Sequence, residues 1–103
     1  MKLEFLHEAR SELLEAVRYY NRERPGLGFE FSNELRNSLN RIKKYPDAWP
    51  LISENVRKCI VNRFPFSVLY LTEGFSILIV AVMHHKRKPG YWETRTSSFV
   101  NED

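Results

Sequence analysis

The chain has a single cysteine among its 103 residues. Cys59 therefore has no internal disulfide partner, and a cysteine-built metal site is excluded. Between Lys58 and Ile60 it reads as a small buried hydrophobe. A lone thiol fits a reducing cytoplasm. Apolar runs are short. The longest, Ile77–Met83, has seven residues, far below the roughly 20 that a bilayer-spanning helix needs. The opening segment, Met1–Glu8, lacks the apolar stretch of a secretory leader. Glycine is scarce, with four residues. Gly26 and Gly28 follow a helical pattern rather than a strand, so they do not read as a phosphate-cradling loop. There is no repeat and no low-complexity tract. Acids are missing around His84 and His85, with Glu93 the nearest. Adjacent strand residues also face opposite sides. No metal and no cofactor is expected.

What is present is ordinary in amount and uneven in placement. The length suits one domain, and 43% hydrophobic with 28% charged residues is the balance of a globular protein. Aromatics reach 14%, enough to leave rings for a surface. Residues 1–40 carry six Lys/Arg against seven Asp/Glu, a net −1. Residues 41–103 carry ten against six, a net +4. A basic second half suits an acidic partner, either nucleic acid or an acidic protein segment, or else is a solvated cationic surface.

Leu3 and Phe5 alternate with Lys2 and Glu4, a short strand. Ala9, Leu13, Ala16, Val17 and Tyr20 fall on one helical face. Glu8, Glu12 and Glu15 are assigned to the outer face, near the end that the helix dipole makes favourable for acids. Arg24-Pro25-Gly26-Leu27-Gly28 breaks this helix. Phe31, Leu35, Leu39 and Ile42 stripe a second one, whose basic last turn suits a C-terminus. Pro46 and Pro50 bracket Trp49 in a stiff connector. Strands are expected at Val56–Arg63, Phe66–Thr72 and Ser76–Met83, with Glu73-Gly74 as a hairpin turn and Pro65 as a bend. The order β-α-α-β-β-β predicts an α+β domain over residues 1–95, with two helices packed on a twisted antiparallel sheet. Residues 96–103 are expected to form a mobile tail.

The strands deliver cations and aromatics to one end of that sheet. Arg57 and Lys58 open one strand and Arg63 closes it. His84, His85, Lys86, Arg87 and Lys88 follow the last strand, and Tyr91 and Trp92 come next. Arg57, Lys58, Arg63, Lys86, Arg87, Lys88, Tyr91 and Trp92 are the candidate target-binding residues: cations grip phosphate, and rings stack on bases. Metal-free RNA cleavage through the 2′-hydroxyl needs a base, an acid and a charge stabiliser. His84 or His85 titrates in the right range for the proton work. The plainer alternative is that Tyr91 and Trp92 cap the sheet while the cations stay solvated.

In order along the chain, Ala9, Leu13 and Tyr20 are followed by Pro25-Gly26-Leu27-Gly28 with Phe31. Pro46, Trp49-Pro50, Val56-Arg57, Arg63-Phe64-Pro65-Phe66 and Tyr70 come next, then His84, Arg87, Pro89 and Tyr91-Trp92. This series resembles the RelE/ParE superfamily of toxins from bacterial type II toxin–antitoxin modules, from Phe5 to about Arg95. The resemblance implies the same two-helix, one-sheet fold, a cognate antitoxin as partner, a toxin–antitoxin hetero-oligomer, a cytoplasmic location and no cofactor. RelE-like members cut messenger RNA on the ribosome, whereas ParE-like members poison DNA gyrase. The ribonucleases place an arginine early in the strand after the loop, a few residues before a tyrosine. Here Ser67 holds that position, ahead of Tyr70. Lys58 matches a lysine of the ribonucleases, Arg87 a second arginine, and Tyr91 lies near their aromatic. The pattern implies the ParE-like, plasmid-stabilisation branch, a binding toxin rather than an enzyme. The alternatives are a ribonuclease using Lys58, His84, His85, Arg87 and Tyr91, or a diverged inactive toxin.

Overall fold

The computed structural model describes residues 1–96. β1 (Lys2–Phe5) leads into α1 (His7–Glu23) and α2 (Leu27–Lys44), followed by β2 (Arg57–Ile60), β3 (Phe66–Glu73) and β4 (Ser76–His84). A 3₁₀ turn at Glu93–Thr96 ends the described chain. The helices and the C-terminal strands fall where periodicity placed them. The sheet order is β1-β4-β3-β2. The last three strands are antiparallel as expected, but β1 runs parallel to β4, so the sheet is mixed. β1 lies beside β4, the last strand, rather than beside β2, the strand that follows the helices, so its direction is set by a pairing between distant segments.

The two helices meet at a close approach. A Cβ on Gly28 would sit 2.2 Å from the Val17 carbonyl oxygen, so only glycine fits. Its N–H is received by Asn21 Oδ1 at 2.7 Å. Gly26, at φ +92°, turns the chain between the helices. β2 is shorter than the alternation suggests. Arg63 takes a left-handed φ of +72°, and Pro65 leaves the ladder, its carbonyl accepting the His85 N–H at 2.9 Å. That bend swings Phe64 into the core.

Both faces of the sheet are covered. On the helix side, Phe31, Leu35 and Ile42 pack against Phe66, Val68, Tyr70, Ile77 and Ile79. The Tyr70 hydroxyl donates to the Pro46 carbonyl at 2.6 Å, and burial pushes its pKa to about 12. The other face, with Leu69, Leu71, Val80 and Ala81, is closed by Trp92. β3 is therefore buried on both sides and reads as a continuous apolar run. Cys59 is fully buried, as expected of a small hydrophobe, and burial raises its thiol pKa. Thr96, assigned to a mobile tail, is instead buried and donates to the Glu93 carbonyl at 3.1 Å. The rest of that expectation, residues 97–103, lies outside the described residues.

Candidate functional site

The end of the sheet where β3 begins and β4 ends carries two neighbouring depressions. The larger, about 410 Å³, is lined by Lys58, His85 and Arg87, with Ile52, Met83 and Trp92 among its apolar walls. Strand alternation sends His84 the other way, into a pocket of about 190 Å³ with Glu12, Phe66 and Arg87. Arg87 borders both.

Ser67 lies behind the larger cleft, against His85, which lines it. It is fully buried, and its hydroxyl lies 2.8 Å from His85 Nε2 in a hydrogen bond whose direction follows the ring tautomer. Ser67 is opposite Met83 in the β3–β4 register, so the pairing itself aligns it with the residues that follow β4. Lys58 enters from β2, and no carboxylate among the described residues pairs with it. An anion entering here meets an ammonium, a guanidinium and an imidazole, with the carboxylate of Glu93 also in the lining.

The segment after β4 is locked by Glu12. Its carboxylate accepts from the Val82 N–H (3.0 Å), the Tyr91 hydroxyl (2.7 Å) and both terminal nitrogens of Arg95 (2.9 Å each). Arg95 also donates to the Val80 carbonyl at 3.1 Å. β1 pairs with β4 only as far as Ile79, and beyond that point these side chains satisfy backbone groups that a longer β1 would have bonded. Arg87 lies 3.9 Å from the Tyr91 ring centroid and 3.8 Å from Glu12. Its guanidinium is thus held half-exposed at the rim. Burial, then the bond to Glu12, raises the Tyr91 pKa. The bond to Glu12 raises that of Arg95.

Several of the sequence-derived candidates are placed elsewhere. Trp92 is only 4% exposed and serves the core, so its face is not offered to a base. Tyr91 has given its hydroxyl to Glu12. Arg57 donates to the Trp49 and Asp47 carbonyls at 2.7 and 3.3 Å, and so fastens the connector to β2. Arg63 pairs with Glu30 at 2.7 Å and Glu34 at 3.6 Å on α2, and its bond holds Glu30 below the usual carboxylate range. Lys86 and Lys88 are exposed on the loop after β4. The structure brings together Lys58, His85 and Arg87. Glu12 and Arg95 were not foreseen as organisers. Glu12 was assigned outward, yet it lies three residues after Ala9 and four before Ala16, both buried. That spacing already put it on the inner face.

His84 packs edge-on against Phe66, with centroids 5.0 Å apart, and its Nδ1 accepts the Lys86 N–H at 3.0 Å. Burial, with Lys86 and His85 nearby, lowers its pKa. A histidine pKa below its unfolded value, about 6.5, contributes stability above that value and loses it as pH falls through the folded one. Thermal melts taken from about pH 7 downward should therefore show a decline that is smaller in His84→Phe, which keeps the ring contact. Equal slopes in the two proteins would contradict this.

Over residues 3–89 the sequence matches the family described as "ParE toxin of type II toxin-antitoxin system, parDE". The chain belongs to the ParE toxin family. Among solved structures, this ParE-family chain is similar to one described as "Chromosomal ParDE TA system from P. aeruginosa", with a TM-score of 0.73 and 18% identity. The likeness covers 82% of this chain and 95% of the other, and at that identity it speaks for the fold. No curated protein matches the sequence. Among the described residues of this ParE-family toxin, no helix is long and apolar enough to cross a membrane.

Proposed function

We propose that the chain is a growth-inhibiting toxin that binds DNA gyrase through the cleft of Lys58, His85 and Arg87, and that a cognate antitoxin neutralises it. It works in the cytoplasm without a cofactor, and its toxin domain is residues 1–95. The observation that carries the binding reading is the side chain at position 67. A ribonuclease built on this scaffold would offer a guanidinium there to the phosphorane-like transition state. Ser67 is buried and occupied with His85. Removing one such charge stabiliser costs roughly 2.7–4 kcal/mol of barrier lowering. Lys58, without a carboxylate partner among the described residues, and the rim-held Arg87 still suit an acidic protein surface.

One observation favours a second reading. Lys58, His85 and Arg87 do converge, which supports a ribosome-dependent endoribonuclease with His85 as the proton carrier. This reading makes no use of His84, which lies in the adjoining pocket, or of Tyr91, whose hydroxyl is bound to Glu12. Induced expression separates the readings. Binding predicts growth arrest with relaxed plasmids and intact message. Ribosome-phased cuts in messenger RNA that vanish in His85→Ala would establish the nuclease instead. A healthy culture would indicate a decayed toxin.

A further inference from the structure

The outer face of α2 carries a pattern that neither the core nor the cleft uses. Phe31, Leu35, Ser38 and Ile42 turn inward. At 3.6 residues per turn, Asn33, Arg36, Asn37, Asn40, Lys43 and Lys44 share the opposite side, within an arc of roughly 120°. All six are exposed, and no acid interrupts them. The helix has two carboxylates, Glu30 and Glu34, and both reach aside to Arg63. Residues 35–46 contain no Asp or Glu at all. Among the described residues, no carboxylate pairs with Arg36, Lys43 or Lys44. Lys44 lies over the Tyr45 ring, 5.5 Å from its centroid. The side-chain amides of Asn33, Asn37 and Asn40 make no hydrogen bond among the described residues. Cations in a last turn complement the helix dipole, which accounts for Lys43 and Lys44 without any partner. It does not account for Arg36 or for the asparagines. Asparagine is a poor helix former beside the Ala, Glu, Lys or Gln that an exposed helix face ordinarily takes. Three on one face weaken α2 and gain nothing inside the chain. Amide donors set among cations are groups that hold phosphate oxygens.

We propose that this face of α2 binds the backbone of duplex DNA, without regard to base sequence. Arg36 precedes the Lys43–Lys44 pair by about 11–12 Å along the helix axis. The major groove of B-DNA is about 12 Å wide. Arg36 can therefore hold a phosphate of one strand while the lysine pair holds the other. Asn33 lies one turn from Arg36, and Asn40 one turn from both Arg36 and Lys44, so each cation has an amide beside it to share its phosphate. The contact does not depend on what the cleft binds. If gyrase is the target, the same contact keeps the toxin beside the duplex on which that enzyme works.

The probe is a short fluorescein-labelled DNA duplex, titrated with the purified chain at several salt concentrations. Anisotropy should rise saturably, equally for a duplex of unrelated sequence. Arg36→Ala with Lys43→Ala should weaken binding by about tenfold or more and flatten the slope of log affinity against log salt by about 1.8, at about 0.9 per phosphate contact. Asn37→Ala with Asn40→Ala should also weaken binding, while Tm holds or rises because alanine favours the helix. That pairing of effects separates a lost contact from a lost fold. Lys86→Ala with Lys88→Ala removes the same charge from the exposed loop after β4 and should bind nearly as the wild type does. No saturable binding, an equal loss in the Lys86, Lys88 variant, or an asparagine variant that binds as the wild type does would overturn the proposal. So would polyglutamate held as tightly as DNA, the mark of a face for an acidic protein. A preference for duplex RNA, whose deep and narrow major groove does not admit side chains, would overturn it as well.

Discussion

Glu12→Ala is expected to destabilise the chain by about 3 kcal/mol or more, the scale for removing one partner of a buried ion pair. The side chains of Glu12 and Arg95 are only 11% and 13% exposed. Truncation would strand the Arg95 guanidinium, the Tyr91 hydroxyl and the Val82 N–H at once, and unmade bonds of that kind cost more than formed ones contribute. The segment that carries Trp92 onto the sheet would lose its anchor to α1. For a domain of this size about 3 kcal/mol lowers Tm by roughly 12 °C or more. The exposed Glu8→Ala should stay within about 0.5 kcal/mol. Urea melts on the two variants give the comparison, and a Glu12→Ala loss below about 1 kcal/mol would mean that Glu12 is not the anchor.

The second large effect is on toxicity with the fold intact. Lys58→Ala combined with Arg87→Ala should reduce growth inhibition by about a hundredfold, the equivalent of roughly 2.7 kcal/mol of target binding. Two charged hydrogen bonds at about 1.5–3 kcal/mol each are enough for that. The stability cost should be about 1 kcal/mol. Among the described residues Lys58 has no ion pair to lose, and Arg87 gives up its position over Tyr91 and a distant contact to Glu12. Arg63→Ala, whose charge is engaged with Glu30 and Glu34, should leave toxicity nearly unchanged. Dose–response curves for growth, read beside thermal melts, check all three. A folded and fully toxic double variant would remove the cleft from the account.

The helices and the hairpin were legible because their signals are local. Phe31, Leu35 and Ile42 recur at helical spacing, and Gly74 at φ +60° supplies the turn between β3 and β4. The direction of β1 was not legible, because pairing Leu3 with Ile77 is a contact between distant segments. The cationic end was found as a composition. Its sorting into working and structural charges was hidden, because that depends on what each guanidinium meets in space. Arg57 meets carbonyls, Arg63 meets α2, and Arg95 meets Glu12. Trp92, after a run of cations, could be read as a stacking ring or as a cap on the sheet, and its burial against Leu69, Leu71, Val80 and Ala81 decides for the cap.

The most direct test of a toxin that binds without cutting is a supercoiling assay with purified DNA gyrase and the purified chain. The account predicts dose-dependent inhibition by the wild-type chain, and inhibition weakened about a hundredfold in the folded Lys58→Ala, Arg87→Ala variant. Supercoiling at the full rate in the presence of wild-type chain that arrests growth would contradict it.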